Sequence, residues 1–434
     1  MVVVCYSENQ TLINFTVFHK KIIGEGTWVA SGHIATGLAR LIGLRLLTQY
    51  VEPHVYGTVS LLLGILTLGE QLFCQPILLA ALRFYSEMEG NIWKLRQIIK
   101  RYLFWTTTVL VIVLILGGGI WSIFKGTHFF SFLALAGLLL VETYRNVEYN
   151  FLIAERRQQP LAVLRSVEAW TRPFFAIGGV LVLGVAPQIV LGGYLSAESF
   201  VLLMLFLFVY RKGTKPNKET SNIPAYSDTK LIKSLRGYIL PLVPLALVHW
   251  LNSLSDRYII GGVLGMESVG IYAASYALIG ASFMMVQSIL GQTLQPLHFQ
   301  AVSTNNISLE KKTFNIWLMG TVGLCVIGVL GVFLFKDSIA GLLLAEKFRS
   351  GSYLMPWLAL GNAIFAMAMV YGSRLLAYKK TKQLLFSNMI GAVAAVVITI
   401  PMVYYLGLIG AAIACPCYFF VLLLSQIVMV KKFV

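Results

Sequence analysis

Twelve long apolar runs follow one another along the chain. They lie near residues 27–49, 56–84, 102–124, 128–150, 160–183, 188–210, 238–263, 267–298, 313–335, 351–378, 383–405 and 407–430. Each is long enough to cross the hydrocarbon core of a bilayer, which takes about 20 residues of helix. No water reaches the backbone there, so each run must satisfy its own hydrogen bonds as a helix. The second, eighth and tenth runs exceed what a bilayer requires and are expected to tilt, kink or project. Pro76 and Pro356 are the expected kink sites, because each removes a backbone donor. Composition closes the other routes: 58% of the 434 residues are apolar and only 12% charged, with a mean hydropathy of +0.78. A soluble enzyme, a disordered chain and a disulfide scaffold are excluded, because so little charge cannot cover so much apolar surface.

The formal net charge of +16 would suggest nucleic acid in a soluble protein. In a membrane chain it reads as the bias of Lys and Arg toward cytoplasmic loops, and no nucleic-acid partner is expected. With the N-terminus inside, 23 of the 34 Lys and Arg fall on the cytoplasmic side and four opposite, with seven arginines within the spans. Both termini are therefore expected inside a bacterial cytoplasmic membrane, with the first span directing insertion. Residues 1–26 read as a cytoplasmic segment, which leaves sequons at Asn9 and Asn14 without weight. The polar stretch 211–236 reads as a solvated basic linker between an N-lobe (27–210) and a C-lobe (237–434). Cys5, Cys74, Cys325, Cys415 and Cys417 are odd in number, and all but Cys5 lie in apolar runs. They read as small core residues, not as disulfides or a metal set.

The two halves echo each other. LTQYVEPHVYGTVSLLLG after the first run and IGGVLGMESVGIYAASYALIG after the seventh each place an acid, Glu52 or Glu267, shortly before a glycine that opens a long apolar helix. VLVLGVAPQIVLGGYLSA around Gly184 echoes MVYYLGLIGAAIACPC around Gly407. Six spans per half would set the halves the same way up, as parallel repeats enclosing a central site. The expected fold is an all-α polytopic membrane protein, with two six-helix lobes related by a pseudo-two-fold axis.

Ionisable groups inside spans are costly and point to function. The arginines are Arg40, Arg45, Arg145, Arg165, Arg172, Arg257 and Arg374. The acids are Glu70, Glu142, Glu148, Glu168, Glu198 and Asp256, and His249 joins them. Arg145, Glu148 and Arg374 read as snorkelling at helix ends. Glu142 with Arg145 and Glu168 with Arg172 have the spacing of pairs within one helix. Asp256 and Arg257 read equally as a structural pair at the outer rim or as substrate contacts, and His249 as a bonded core residue. Arg40 stands near mid-span with no acid within a turn. Arg165, Glu168 and Arg172 form one stripe that should face a lobe interior. Glu70 and Glu198 lack local basic partners and could pair with Arg40 or Arg172 across helices, or carry a proton or Na⁺. No nucleotide-binding loop, H-E-x-x-H, G-x-S-x-G or dinucleotide motif occurs, so no enzymatic site is expected.

LTQYVEPHVYGTVSLLLG resembles the leucine-rich, acidic-Pro, Tyr-Gly turn between the first two helices of bacterial polysaccharide exporters. SDRYIIGGVLGMESVGIYAASYAL (255–278) is similar to their D-R-[FY]-I-I-G run, acidic loop, V-G-[IL]-Y and Ala/Ser-rich helix. On these residues the chain resembles a Wzx-type lipid-linked oligosaccharide flippase of the MOP exporter superfamily, which also contains the MATE drug exporters. The resemblance implies a MATE-like fold without cofactor. It implies an undecaprenyl-diphosphate-linked oligosaccharide as substrate, for O-antigen, capsule or exopolysaccharide synthesis, and partners in the polysaccharide polymerase and chain-length machinery. Arginines stay ionised and grip phosphate oxygens in a fork. Arg40, Arg45, Arg165, Arg172 and Arg257 are therefore the candidate cationic lining. Glu70, Glu168, Glu198 and Asp256 are candidates for ion coupling, to H⁺ or Na⁺, or for charge pairing. Arg40→Ala and Arg172→Ala are expected to abolish transport with insertion unchanged. Two alternatives stay open: a cation-coupled MATE-type exporter, which two arginines and no acid past Glu25 in the first run disfavour, and a scaffold that transports nothing.

Overall fold

The computed structural model describes residues 31–32, 34–85, 92–125, 129–155, 157–207, 228–240 and 242–433. Cys5, the 1–26 segment with its sequons, and the linker up to residue 227 lie outside the described residues. Apolar runs become helices as expected. In chain order they are α1 (34–50), α2 (Pro53–Gly69), α3 (Gln75–Tyr85), α4 (Ile92–Lys125), α5 (Phe129–Ala154), α6 (Gln158–Leu183) and α7 (Pro187–Leu205). After the linker come α8 (Asp228–Ile239), α9 (Leu242–Leu264), α10 (Met266–Ser303), α11 (Ile307–Leu343), α12 (Met355–Ala377), α13 (Thr381–Leu406) and α14 (Leu408–Phe433). Among the described residues ten helical stretches are long and apolar enough to cross a membrane by themselves. The described part of α1 and the charged α6 fall short of that measure.

The expected breaks take specific forms. Between α2 and α3 the chain makes one π-helical turn, Glu70–Cys74, in which the Gln75 N–H bonds back to the Glu70 carbonyl. The missing donor of Pro76 follows at once, and slipping the ladder by one residue accommodates it. Pro356 is not a kink. It stands in the first turn of α12, where its absent N–H costs nothing, and the preceding Glu346–Leu354 is a 3₁₀ segment. Helix α11 is bent at Phe335 instead, whose φ of −116° and ψ of 17° are non-helical. The C-terminal part of the linker, read as solvated coil, contains α8, whose Leu235 is buried against α3.

The internal repeat is structural. In the first half α4 packs on α5, α5 on α7 and α6 on α7. In the second half α11 packs on α12, α12 on α14 and α13 on α14. Gly184 ends α6 at φ +93° and Gly407 ends α13 at φ +65°, so the echoing segments are the same left-handed turn in each lobe. The other pair of motifs meets physically. Gly57 on α2 and Gly270 on α10 let the two backbones touch: a Cβ on Gly57 would overlap the Met266 carbonyl, and one on Gly270 the Pro53 carbonyl. Each lobe has its own core, one around Leu138, Ile177 and Leu191, the other around Tyr272, Leu358 and Tyr418. Outward faces of α4 and α11 stay bare, with Trp105, Val113, Ile327 and Phe333 all exposed. Such bands suit hydrocarbon, not water. Cys74, Cys325 and Cys415 are buried free thiols and Cys417 is half-buried.

Candidate functional site

The lobes are held together at one end of the bundle. There the Gly57–Gly270 contact is joined by Arg45, which donates to the Leu344 carbonyl, and by Ala345 N–H to Thr48 Oγ1 at 3.3 Å. Lys347 pairs with Glu52, and Tyr56 meets Phe348 edge to face at 5.8 Å. Along the α2–α9 seam Trp250 Nε1 donates to the Gly64 carbonyl and Tyr258 Oη to that of Leu61, both at 2.8 Å. Between the lobes, away from that end, lies a cavity of about 1050 Å³ walled by α1, α2, α5, α6, α7, α9, α10 and α12.

Five arginines and one glutamate line it: Arg40, Arg145, Arg165, Arg172, Arg257 and Glu168. Four of the five arginines expected from sequence are there. Arg45 is not, because its guanidinium is spent on the Leu344 carbonyl at the lobe junction. Arg145 is the one sequence reasoning missed. It does not snorkel. It is buried, pairs with Glu198 and lies 2.9 Å from Glu168. The signal was available, since Glu142, Arg145, Asn146 and Tyr149 form an i, i+3, i+4, i+7 polar stripe on α5.

The expected pairs within one helix do not form. Glu142 bonds Arg172 and Glu168 bonds Arg145, each across the α5–α6 interface. Glu198, fully buried on α7, pairs with both Arg145 and Arg172, whose Nε is 3.1 Å away. Same-helix geometry lost because side chains on one packed face reach the opposing helix better than each other. Glu70, on the π turn, faces the Asn146 amide at 3.4 Å. Glu148 and Arg374 do not snorkel either: buried Glu148 pairs with Lys100 on α4 at 2.7 Å, and Arg374 with buried Glu310 on α11 at 2.9 Å. His249 is no core residue, because it lines the cavity. Asp256 and Arg257 part company: Arg257 faces the cavity, while Asp256 is buried behind it and accepts from Tyr272 Oη at 2.7 Å.

The near-balance of seven arginines against six acids in the spans thus hides an uneven distribution. Glu142, Glu148, Glu168 and Glu198 are consumed in ion pairs, while Glu70 and Asp256 bond the Asn146 amide and the Tyr272 hydroxyl. Arg40, Arg165 and Arg257 remain in the cavity with no carboxylate within ion-pair reach among the described residues. Arg165 lies 5.9 Å from the Tyr149 ring and Arg257 5.2 Å from that of Tyr276, contacts that orient a guanidinium without neutralising it. Such a surface can hold an anion with several oxygens. Among the described residues no group of three or more His, Cys, Asp or Glu is arranged to hold a metal.

No family model matches the chain. Its fold is that of the lipid II flippase MurJ (TM-score 0.68, 12% identity, 94% of this chain and 87% of that one) and of a multidrug resistance MATE family transporter of the MOP superfamily in its inward-facing conformation (TM-score 0.70, 11% identity, 93% and 94%). The Vibrio cholerae MATE transporter VcmN is similar too, with a TM-score of 0.65 at 11% identity over 96% of this chain and 97% of that one. In sequence the chain is 22% identical over 201 residues to the "Probable low-salt glycan biosynthesis flippase Agl15" of Haloferax volcanii. That match covers 46% of this chain and 40% of the relative, so the chain spans well under half the length of the curated relative it matches.

Proposed function

We propose that this protein flips an undecaprenyl-diphosphate-linked oligosaccharide across a bacterial cytoplasmic membrane for O-antigen, capsule or exopolysaccharide synthesis, handing it to the polymerase and chain-length machinery. The observation that carries the reading is the set of unpaired guanidiniums, Arg40, Arg165 and Arg257, around one cavity between two membrane lobes. A diphosphate head group cannot enter hydrocarbon. Three arginines that never lose their charge replace its water and bind its oxygens in pairs. The glycan flippase among the sequence relatives and the lipid II flippase among the structural neighbours support the same substrate class. A cationic drug is a poor fit, since the one carboxylate in the wall among the described residues, Glu168, is already engaged with Arg145.

With both termini inside, the joined end of the lobes is the outer face and the cavity is loaded from the cytoplasm. The lipid tail stays in the bilayer, and rocking of the lobes re-exposes the head group outside. Two negative charges moving toward the positive side through 100 mV gain about 4–5 kcal/mol, so no nucleotide is needed. A coupling ion would have a place as well. Three carboxylates, Glu142, Glu168 and Glu198, share two guanidiniums, Arg145 and Arg172, and Glu70 adjoins this N-lobe network through the Asn146 amide. That excess favours taking up a proton or Na⁺. Glu70→Gln is expected to keep normal protein level while making transport insensitive to an imposed pH or Na⁺ gradient, measured in proteoliposomes.

The test of the main reading replaces Arg40, Arg165 and Arg257 singly by Gln in cells that depend on this protein for polymer. Each variant should insert normally yet accumulate lipid-linked oligosaccharide on the cytoplasmic leaflet, seen by mass spectrometry with an impermeant probe. Full polymer output from all three would sink it. Loss of output on deleting 213–230, with the arginine variants silent, would instead favour a scaffold.

A further inference from the structure

The two sides of the cavity differ in chemistry. Arg40, Arg145, Arg165 and Arg172 all stand on the N-lobe side. The α10 and α12 walls opposite carry no charge. On α12 the lining residues are Asn362, Phe365 and Met369, at i, i+3 and i+7 on one face. On α10 the lining residues are Tyr276, Ala277, Gly280, Ala281 and Met284. Arg257, on α9, marks the boundary, with its guanidinium 5.2 Å from the ring of Tyr276 on α10.

Cavity aromatics divide the same way. Tyr149, Tyr194 and Tyr276 each carry a guanidinium over the ring, and Tyr56 is engaged edge to face by Phe348. Among the described residues no cation lies over Phe365. It is braced from behind by Phe419 at 4.6 Å and is half-buried, so it is a fixed ring at the cavity wall. A pyranose ring is neutral, with C–H bonds on one face and hydroxyls around its edge. Sites for such a ring combine an aromatic face with a few uncharged hydrogen-bonding groups. The N-lobe side offers the opposite, suited to phosphate.

We propose that the α10–α12 wall is the subsite for the sugar nearest the diphosphate, with Phe365 as its stacking platform, Asn362 beside it on the same face, and the Arg257–Tyr276 contact setting the boundary with the phosphate-binding arginines. This rests on the lipid-diphosphate reading above and adds to it a division of labour: the N-lobe arginines, with Arg257 at their edge, hold the charge common to all such lipids, and the α10–α12 wall of the C-lobe selects the glycan.

The experiment measures binding of the purified protein to undecaprenyl diphosphate bearing no sugar, N-acetylglucosamine, N-acetylgalactosamine or galactose. Wild type should bind at least one sugar-bearing lipid about tenfold more tightly than the bare lipid, a difference of about 1.4 kcal/mol. Phe365→Leu should bring that ratio to near unity with bare-lipid affinity within about twofold. Phe365→Tyr, which keeps the ring and the brace, should retain it and guards against a trivial folding defect. A ratio untouched by Phe365→Leu, or equal binding of all four lipids by wild type, would overturn the subsite while leaving diphosphate binding intact. Failure of every lipid to bind would remove the underlying reading, and the subsite with it.

Discussion

Arg172→Ala is expected to deplete the protein from the membrane, whereas Arg40→Gln leaves its level normal and stops transport. From the sequence both arginines looked alike, as transport residues whose loss would spare insertion. Their surroundings separate them. Arg172 bonds Glu142 and the fully buried Glu198. Removing it leaves three carboxylates, Glu142, Glu168 and Glu198, against Arg145 alone, and breaking a buried pair in this way costs about 3–5 kcal/mol. A whole domain is stable by only about 5–15 kcal/mol, so the loss should be visible in thermal unfolding and steady-state level. Arg40 is exposed to the cavity and has no partner to abandon. Immunoblots of membrane fractions beside a polymer assay separate the outcomes. Equal, normal levels for both variants would mean that the network around Glu198 contributes little to folding.

The second large effect belongs to the glycines where the lobes touch. Gly57→Val and Gly270→Val are each expected to reduce transport at least about tenfold, a change of about 1.4 kcal/mol or more in the balance of states. The added Cβ falls on a backbone carbonyl of the facing helix, which cannot rotate away as a side chain could. The helices must separate at the very place where Arg45, Thr48 and Glu52 join the 344–347 segment. A reporter is at hand. Cysteines replacing Glu52 and Lys347, which pair in this state, should cross-link readily in the parent and poorly when Gly57→Val is added. Undiminished cross-linking and transport would show that the contact is incidental to the cycle.

The comparison of Arg172 with Arg40 also shows how far the sequence reached. Helix number, two lobes and the internal repeat were written in hydropathy and in the Gly184 and Gly407 segments. These follow from chain-local physics: a run of about 20 apolar residues must be a helix in lipid, and a left-handed turn needs glycine. The kink at Pro76 was legible for the same reason. Pro356 misled because the same missing donor serves equally well at a helix start, and only the preceding 3₁₀ segment decides. Breaks such as Phe335 carry no residue-level signal.

Within the site, the sequence determined which residue types stand at membrane depth, and four of the five expected arginines do face one cavity. It could not determine which remain charged and unclaimed. Glu142, Glu168 and Glu198 come from three different helices, and their choice between Arg145 and Arg172 depends on how α5, α6 and α7 pack. Arg45 is lost to a carbonyl 299 residues away in the chain. Helix formation is a property of neighbours in sequence, so the sequence states it. Charge compensation is a property of neighbours in space, and only the tertiary structure decides it.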